Sequence, residues 1–471
     1  MKRVVSLAMV MILSFSVLTG CEKTETNTDS TQADGVNTGT TAAAAQGAVE
    51  VLFWSAPNQN QFDYWQKKAA EFNEAGIQHN GKIIRVSVEM TPETVSSEAA
   101  IQNAIATGSA PAASENISLS LMNTLAESGV ICELQDEAIY KQIVEDRVMG
   151  NTVDSWELDG KQYVVPLYIN SVCLIWNTQA LHALGFQEPP ETMEEYHQVI
   201  QAYVDHKKEM EAMGVMAALP GSNLVSESAY QCGYDFQMLY STFTQGGEWL
   251  QKDALKVDRD AMIKTLEFWG ALGNTNELNK IESPWTQEKI SVLFDIGKPW
   301  NLESYDKAGK VYKDDYLFAP VPVLKKGDSP YFYADTKGIT FYKTSNVSEE
   351  IHQSALEFIG WVYNKENAVQ SDLEWIQATG MLPVRSDMNE NSEFNSVFTE
   401  RPALEFFAEN IPNTVSLPEF TFAGDVEVAF RTNGLIPYIT EAINHEALDT
   451  VDASECADRA IAAMKAAGGF N

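Results

Sequence analysis

Residues 160–177 read Gly-Lys-Gln-Tyr-Val-Val-Pro-Leu-Tyr-Ile-Asn-Ser-Val-Cys-Leu-Ile-Trp-Asn. The runs 163–166 and 172–176 are apolar and rich in β-branched and aromatic side chains, which predicts two strands. Between them lies the step Tyr168-Ile169-Asn170-Ser171. An aromatic face stacks on the C–H face of a sugar ring, and an amide forks hydrogen bonds to adjacent hydroxyls. Tyr168 and Asn170 are therefore binding candidates.

Towards the N-terminus, residues 49–54 are a strand candidate that Trp54 closes. Phe62, Trp65, Ala69 and Phe72 follow at helical spacing. Gly81 precedes an alternation of Ile84, Val86 and Val88. Val95, Ala99, Ala100, Ala104 and Ile105 mark a second helix, stopped by Gly108 and Pro111. A third strand and helix lie within 112–128. This β-α-β-α-β order predicts a parallel sheet with helices on both faces. Towards the C-terminus, helices are expected over 191–213, 258–272, 347–363, 368–378 and 425–444, and strands over 317–321 and 338–342. The expected class is α/β in two lobes, with a ligand cleft between them at the carboxyl ends of strands.

The chain has 471 residues, 45% of them apolar, which excludes a mainly disordered protein. Acidic residues outnumber basic ones 66 to 32, for a formal charge of −34. Such a polyanion repels nucleic acid and anionic lipid headgroups. Lys2 and Arg3 precede a short apolar run, 4–17, that fits a signal peptide rather than a membrane span. The run ends in Leu18-Thr19-Gly20-Cys21, which resembles a bacterial lipobox. Segment 1–20 is read as a lipoprotein signal and Cys21 as the lipidated residue. Losing Lys2 and Arg3 with that signal takes the charge from −34 to −36. Residues 22–47 lack aromatics and read as a flexible tether. Cys132, Cys173, Cys232 and Cys456 remain. They are read as buried thiols, with one disulfide as the open alternative.

Catalytic and metal signatures are absent. There is no Gly-x-Ser-x-Gly, no P-loop, no Gly-x-Gly-x-x-Gly after a strand and no metal-spaced His/Cys cluster. Carboxylates are abundant, but no acid/base pair stands out. Neither catalysis nor a metal or cofactor is expected. Aromatic and amide residues do stand out at strand ends and in turn-like segments, among them Trp300 after Gly297-Lys298-Pro299, Tyr333 before Asp335, and Phe422 after Pro418. Trp65, Trp269 and Trp361 fall on helical stripes and are read as core.

The segment 160–177, continued through Leu181, Leu184, Gly185, Pro189, Pro190, Glu191 and Thr192, resembles the signature of the family 1 extracellular solute-binding proteins of ABC importers, the maltose-binding-like group. Val51-Leu52-Phe53-Trp54, the 104–111 region, 297–305, Ala319-Pro320-Val321-Pro322, Gly338-Ile339-Thr340 and Thr379-Gly380-Met381-Leu382-Pro383-Val384-Arg385 resemble further family segments in order. Ala112 replaces a usual Asp, and Lys298 is inserted before Pro299. The resemblance implies a type II periplasmic-binding-protein clamp. By position, one lobe is expected from 48–170 plus 336–386 and the other from 171–335 plus 387–471. It implies a ligand site of Trp54, Glu115, Asn116, Tyr168, Asn170, Trp300, Tyr333, Asp335 and Phe422, with aromatics stacking and polar groups reading hydroxyls. The implied protein is a monomer lipid-anchored on the outer face of the plasma membrane. It captures a sugar or oligosaccharide and delivers it to the membrane permease. Two other readings remain: the same fold with a peptide, polyamine or other non-sugar solute, and a surface-anchored glycan hydrolase.

Overall fold

A computed structural model describes residues 47–92, 96–219, 236–251, 254–275, 285–286, 289–416, 423–442, 445 and 452–470. The expected signal segment, Cys21, Cys232 and Phe422 lie outside the described residues. No helix among the described residues is long and apolar enough to cross a membrane.

The first three strands follow the sequence spacing. Val49–Ser55 pairs in parallel with Lys82–Met90 on one side and with Ala113–Ile117 on the other. The helices Gln59–Ala75 and Ser97–Thr107 connect them. Each helix starts on a side-chain cap, Asn58 or Ser96, and ends at a left-handed glycine, Gly76 or Gly108.

Beyond these strands the sheet is mixed, where the local order predicts a parallel one. Its strands run Phe294–Gly297, Val164–Asn177, Phe332–Phe341, Ala113–Ile117, Val49–Ser55, Lys82–Met90, Gln78–His79. Tyr316–Ala319 also pairs with Val164–Asn177, and Thr414–Val415 with Phe332–Phe341. The partners of Val164–Asn177 are all antiparallel and all come from far along the chain. The two strands expected at 163–166 and 172–176 are therefore one strand of 14 residues. Its Tyr168–Ser171 step stays in the ladder, with Lys337 opposite Tyr168 and Asp335 opposite Asn170. The helix expected over 191–213 divides at His206 into Met193–Asp205 and Lys207–Ala212. That expected over 425–444 becomes Ala423–Phe430 and Ile436–Ala442, with a π-turn, Arg431–Leu435, between.

The long strand feeds every large apolar cluster. Leu167 and Tyr168 belong to a first core with Phe53, Trp65, Phe358 and Trp375. Val172, Leu174 and Trp176 belong to a second with Tyr196, Trp269 and Phe294. The intervening Cys173 and Ile175 point the other way, into a third with Tyr305, Phe318 and Phe407. Val164 joins a fourth with Trp54, Ile117 and Tyr342. Trp65 and Trp269 are core as expected, and Trp361 packs partly buried against the first core. Cys132, Cys173 and Cys456 are free thiols.

Pro166 interrupts the ladder, because it has no N–H to donate. The register with Phe332–Phe341 shifts there, between Lys337 and Gly338. A Cβ on Gly338 would lie 2.1 Å from Val164 Cγ1, so only glycine lets the strands approach. The carbonyls of Pro166 and Leu167 are taken by the buried Arg147 guanidinium, at 2.7 and 2.8 Å. Arg147 also donates to Asp372 at 2.7 Å and lies 4.2 Å from the Tyr363 ring centroid. Arg385 donates to the other Asp372 oxygen at 3.1 Å. Arg385 also pairs with Asp387 at 2.8 and 2.9 Å, so removing the shared carboxylate would leave the Arg147 guanidinium in the core without its counter-charge. Asp372→Ala should cost about 3–5 kcal/mol in urea unfolding. A loss under about 1 kcal/mol would show that water reaches and solvates the pair.

Candidate functional site

The carboxyl end of Val49–Ser55 lies beside the start of Ala113–Ile117, with Trp54 opposite Ser114. Trp54 is buried in the fourth core, and its indole Nε1 finds no hydrogen-bond partner among the described residues. Glu115 is fully buried. Its Oε1 accepts the Ala56 N–H at 2.7 Å, and its Oε2 accepts from Gln61 Nε2 at 3.3 Å. Burial pushes its pKa up to about 7, against the lowering effect of the Ala56 N–H, the Trp65 indole and Gln61. The next residue, Asn116, turns left-handed at φ 63°. This places its Oδ1 where the Tyr168 hydroxyl donates to it at 3.3 Å.

Tyr168 lies on the long strand, its ring stacked on Trp375 at 5.7 Å and 21°. Two residues on, Asn170 is fully buried. Its Oδ1 accepts the Leu382 N–H at 3.3 Å, and its Nδ2 finds no partner among the described residues. Ile169 N–H donates to the Leu382 carbonyl at 2.9 Å, and Tyr168 bridges Pro383. The 379–384 segment thus runs beside the long strand at the Tyr168–Asn170 step. On its other side it meets the turn Pro299–Asn301. A Cβ on Gly380, at φ 73°, would lie 3.0 Å from the Pro299 carbonyl.

That turn carries Trp300, half-buried, which packs against both the first and the second core. Lys298 Nζ lies 5.9 Å from its ring centroid. The following helix, Leu302–Lys307, presents Glu303, which accepts from Asn60 Nδ2 in the first turn of Gln59–Ala75. Glu303 is held below the usual carboxylate range by its hydrogen bond from Lys307, with Asn60 adding to the effect.

Among the expected residues, the structure brings Asn116 to Tyr168 and sets Asp335 opposite Asn170 and Tyr333 opposite Val172. Tyr333 is buried in the second core. Trp300 is linked to this group through the 379–384 segment, where Gly380 lies against its turn and Leu382 N–H donates to Asn170. Gln61, Asn60, Glu303 and Trp375 are not among the residues the sequence singles out, whereas Gly380 lies in the Thr379–Arg385 segment that it does. The Asn58-Gln59-Asn60-Gln61 amide run after Pro57 was the available signal for the first two. Among the described residues no group of three or more His, Cys, Asp or Glu is placed to hold a metal ion.

The model of the bacterial extracellular solute-binding proteins matches residues 67–405. The chain belongs to that family. Members of the family are transport binding proteins that act outside the cytoplasmic membrane. No curated protein sequence matches the chain. Among solved structures, the uncharacterized protein lmo0859 from Listeria monocytogenes EGD-e is 28% identical, with 89% of this chain and 98% of that one covered and a TM-score of 0.71. The cyclic alpha-maltosyl-1,6-maltose binding protein from Arthrobacter globiformis is 18% identical, over 90% and 99% of the two chains, at TM-score 0.66. The GacH receptor of Streptomyces glaucescens is 17% identical, over 90% and 100%, at 0.67. The fold is the two-lobe type II α/β clamp.

Glu115 sets a pH dependence of stability. Its ordinary pKa of 4.5 applies to the unfolded chain, and about 7 to the fold, so between these values the fold holds more proton. The contribution of Glu115 to stability is therefore full below about 4.5 and is lost as pH rises through 7. Glu374, held near 2 by Lys67 and Lys68 against its desolvation, acts in the separate window below 4.5. His197 and His352, both lowered by burial, gain stability with rising pH in either protein, so the pH trend of denaturant midpoints from pH 5 to 8 should be less favourable in the wild type than in Glu115→Gln. Parallel slopes in the two proteins would rule out the assignment.

Proposed function

We propose that this protein is the lipid-anchored capture subunit of an ABC importer, taking a sugar or oligosaccharide from outside the cell and delivering it to a membrane permease. The observation that carries the reading is the Trp300 turn. A half-buried indole packs against both cores, beside a strand step that offers the Tyr168 hydroxyl and the unpartnered Asn170 Nδ2. An aromatic plate next to fixed amide and hydroxyl groups suits a polyhydroxylated ring. Two of the solved relatives carry maltose-type names, the Arthrobacter protein above and a Thermus thermophilus maltotriose binding protein. Both support the sugar class.

On this reading, Trp54, Trp300, Tyr333 and Phe422 are stacking surfaces. Glu115, Asn116, Tyr168, Asn170 and Asp335 face or frame the ligand. Residues 48–170 plus 336–386 form one lobe, and 171–335 plus 387–471 the other. Ligand favours the closed clamp because only that form touches it from both sides. The protein makes and breaks no covalent bond. Cys21 carries the lipid, and the protein works as a monomer.

A melting-temperature panel of mono- and oligosaccharides, polyamines and short peptides tests the ligand class. A carbohydrate at 100 times its Kd should add about 2.7 kcal/mol of stability and be recovered unchanged. Trp300→Ala should weaken it about 10-fold, the worth of about 1.4 kcal/mol of stacking. A response to polyamines or peptides alone would replace the sugar, and consumption of the sugar would make the protein a hydrolase. The anchor is tested separately. Cys21→Ser should move the protein from the membrane fraction to the medium and abolish labelling by radioactive palmitate. Unchanged membrane retention would refute the lipid assignment.

A further inference from the structure

The turn Pro299–Asn301 is held on three sides. It runs straight into the helix Leu302–Lys307, whose Leu302 and Tyr305 are buried in the third core. On a second side the Pro299 carbonyl lies against Gly380, where a Cβ would have only 3.0 Å. Both of these are packing contacts. The third hold is polar: Glu303, three residues beyond Trp300, accepts from Asn60 Nδ2 across 243 residues of sequence.

Asn60 lies in the first turn of Gln59–Ala75, whose Tyr64, Trp65, Ala69 and Phe72 are buried in the first core. Each of the two helices is thus seated in a core of its own. The bond between Asn60 and Glu303 seats neither of them; what it fixes is the place of one against the other. Trp300 stands where that place matters, because its ring packs against both the first core and the second. The two groups are set for each other. Lys307 Nζ holds Glu303 Oε1 at 2.8 Å, which leaves Oε2 to Asn60. The Asn60 backbone is fixed in turn, its N–H donating to Asn58 Oδ1 at 3.0 Å. An ionised acceptor strengthens such a bond, and both partners are half-buried.

We propose that Glu303 is a positioning residue for ligand binding: by accepting the Asn60 amide it sets the Trp300 ring in the orientation that receives the ligand, without touching the ligand itself. A plate fixed beforehand spares the cost of ordering it when the ligand arrives. The effect on affinity rests on the reading of Trp300 as a stacking surface; the effect on the ring does not.

Fluorine NMR of the protein carrying 5-fluorotryptophan tests this, with the Trp300 resonance assigned by its loss in Trp300→Phe. Calorimetry with maltotriose runs on the same variants. Glu303→Ala and Asn60→Ala should each shift or broaden the Trp300 resonance, leave those of the buried Trp176 and Trp269 in place, and weaken maltotriose about fivefold. The double variant should go no further than either single one, since both remove the same bond. Glu303→Gln, whose amide oxygen still accepts from Asn60, should restore the resonance and most of the affinity. A Trp300 resonance unmoved in both alanine variants overturns the proposal, as does a Glu303→Gln protein that behaves like Glu303→Ala. A shifted resonance with unchanged maltotriose affinity overturns the role in binding. If the resonance responds as expected and maltotriose gives no heat even with the wild type, the hold of Glu303 on Trp300 stands and the sugar reading fails.

Discussion

The structure depends on one strand being continuous. Val164–Asn177 enters the fourth core at Val164, passes the first at Leu167 and Tyr168, and ends between the second and third. A strand that long has a weak point where it cannot hydrogen-bond, and here that point is Pro166. The fold answers with a guanidinium. Arg147 takes the two carbonyls flanking the break, and Asp372 and Arg385 hold Arg147 in place. The register shift at Gly338 falls opposite the same proline. A buried triad of this kind is weak as a source of net stability, but it tolerates little error in position. It fixes the strand just before the step at Tyr168–Asn170, where the candidate site begins.

This explains how far the sequence could be read. The first three strands and their helices are encoded locally, by caps, glycine stops and spacing, and they form as expected. The long strand was read as two because Pro166 and the polar step 168–171 look like an ending. Only the distant partner 332–341 keeps that step in the ladder, and local pattern cannot show it. The mixed sheet was missed for the same reason, since antiparallel partners arrive from more than a hundred residues away. Arg147 and Asp372 were invisible because charged residues are read as solvated unless a counter-charge is known.

At the site, residue type was legible and orientation was not. Tyr168 carries the aromatic-amide signal, but one face of its ring is covered by Trp375, which leaves its hydroxyl to Asn116. Asn116 can accept that hydroxyl because its backbone turns left-handed, a conformation Asn tolerates better than most residues. Trp300 remains half-buried because Gly380 lets its turn lie against the 379–384 segment without a side chain between them. Whether an aromatic serves as a core group or as a plate is thus decided by what lies on its other face.

The distribution of charge separates what must stay rigid from what is free to move. Under the long strand, guanidinium and carboxylate are matched inside the core, and shifting them would expose an unpaired charge to low dielectric. At the rim the contacts are of another kind. There an amide–carboxylate contact joins Asn60, in the first turn of Gln59–Ala75, to the half-buried Glu303. Such contacts can be traded for water at small cost, whereas the triad cannot. The same chain builds its buried spine from paired guanidinium and carboxylate groups and its half-buried contact between Gln59–Ala75 and Leu302–Lys307 from an amide and a carboxylate.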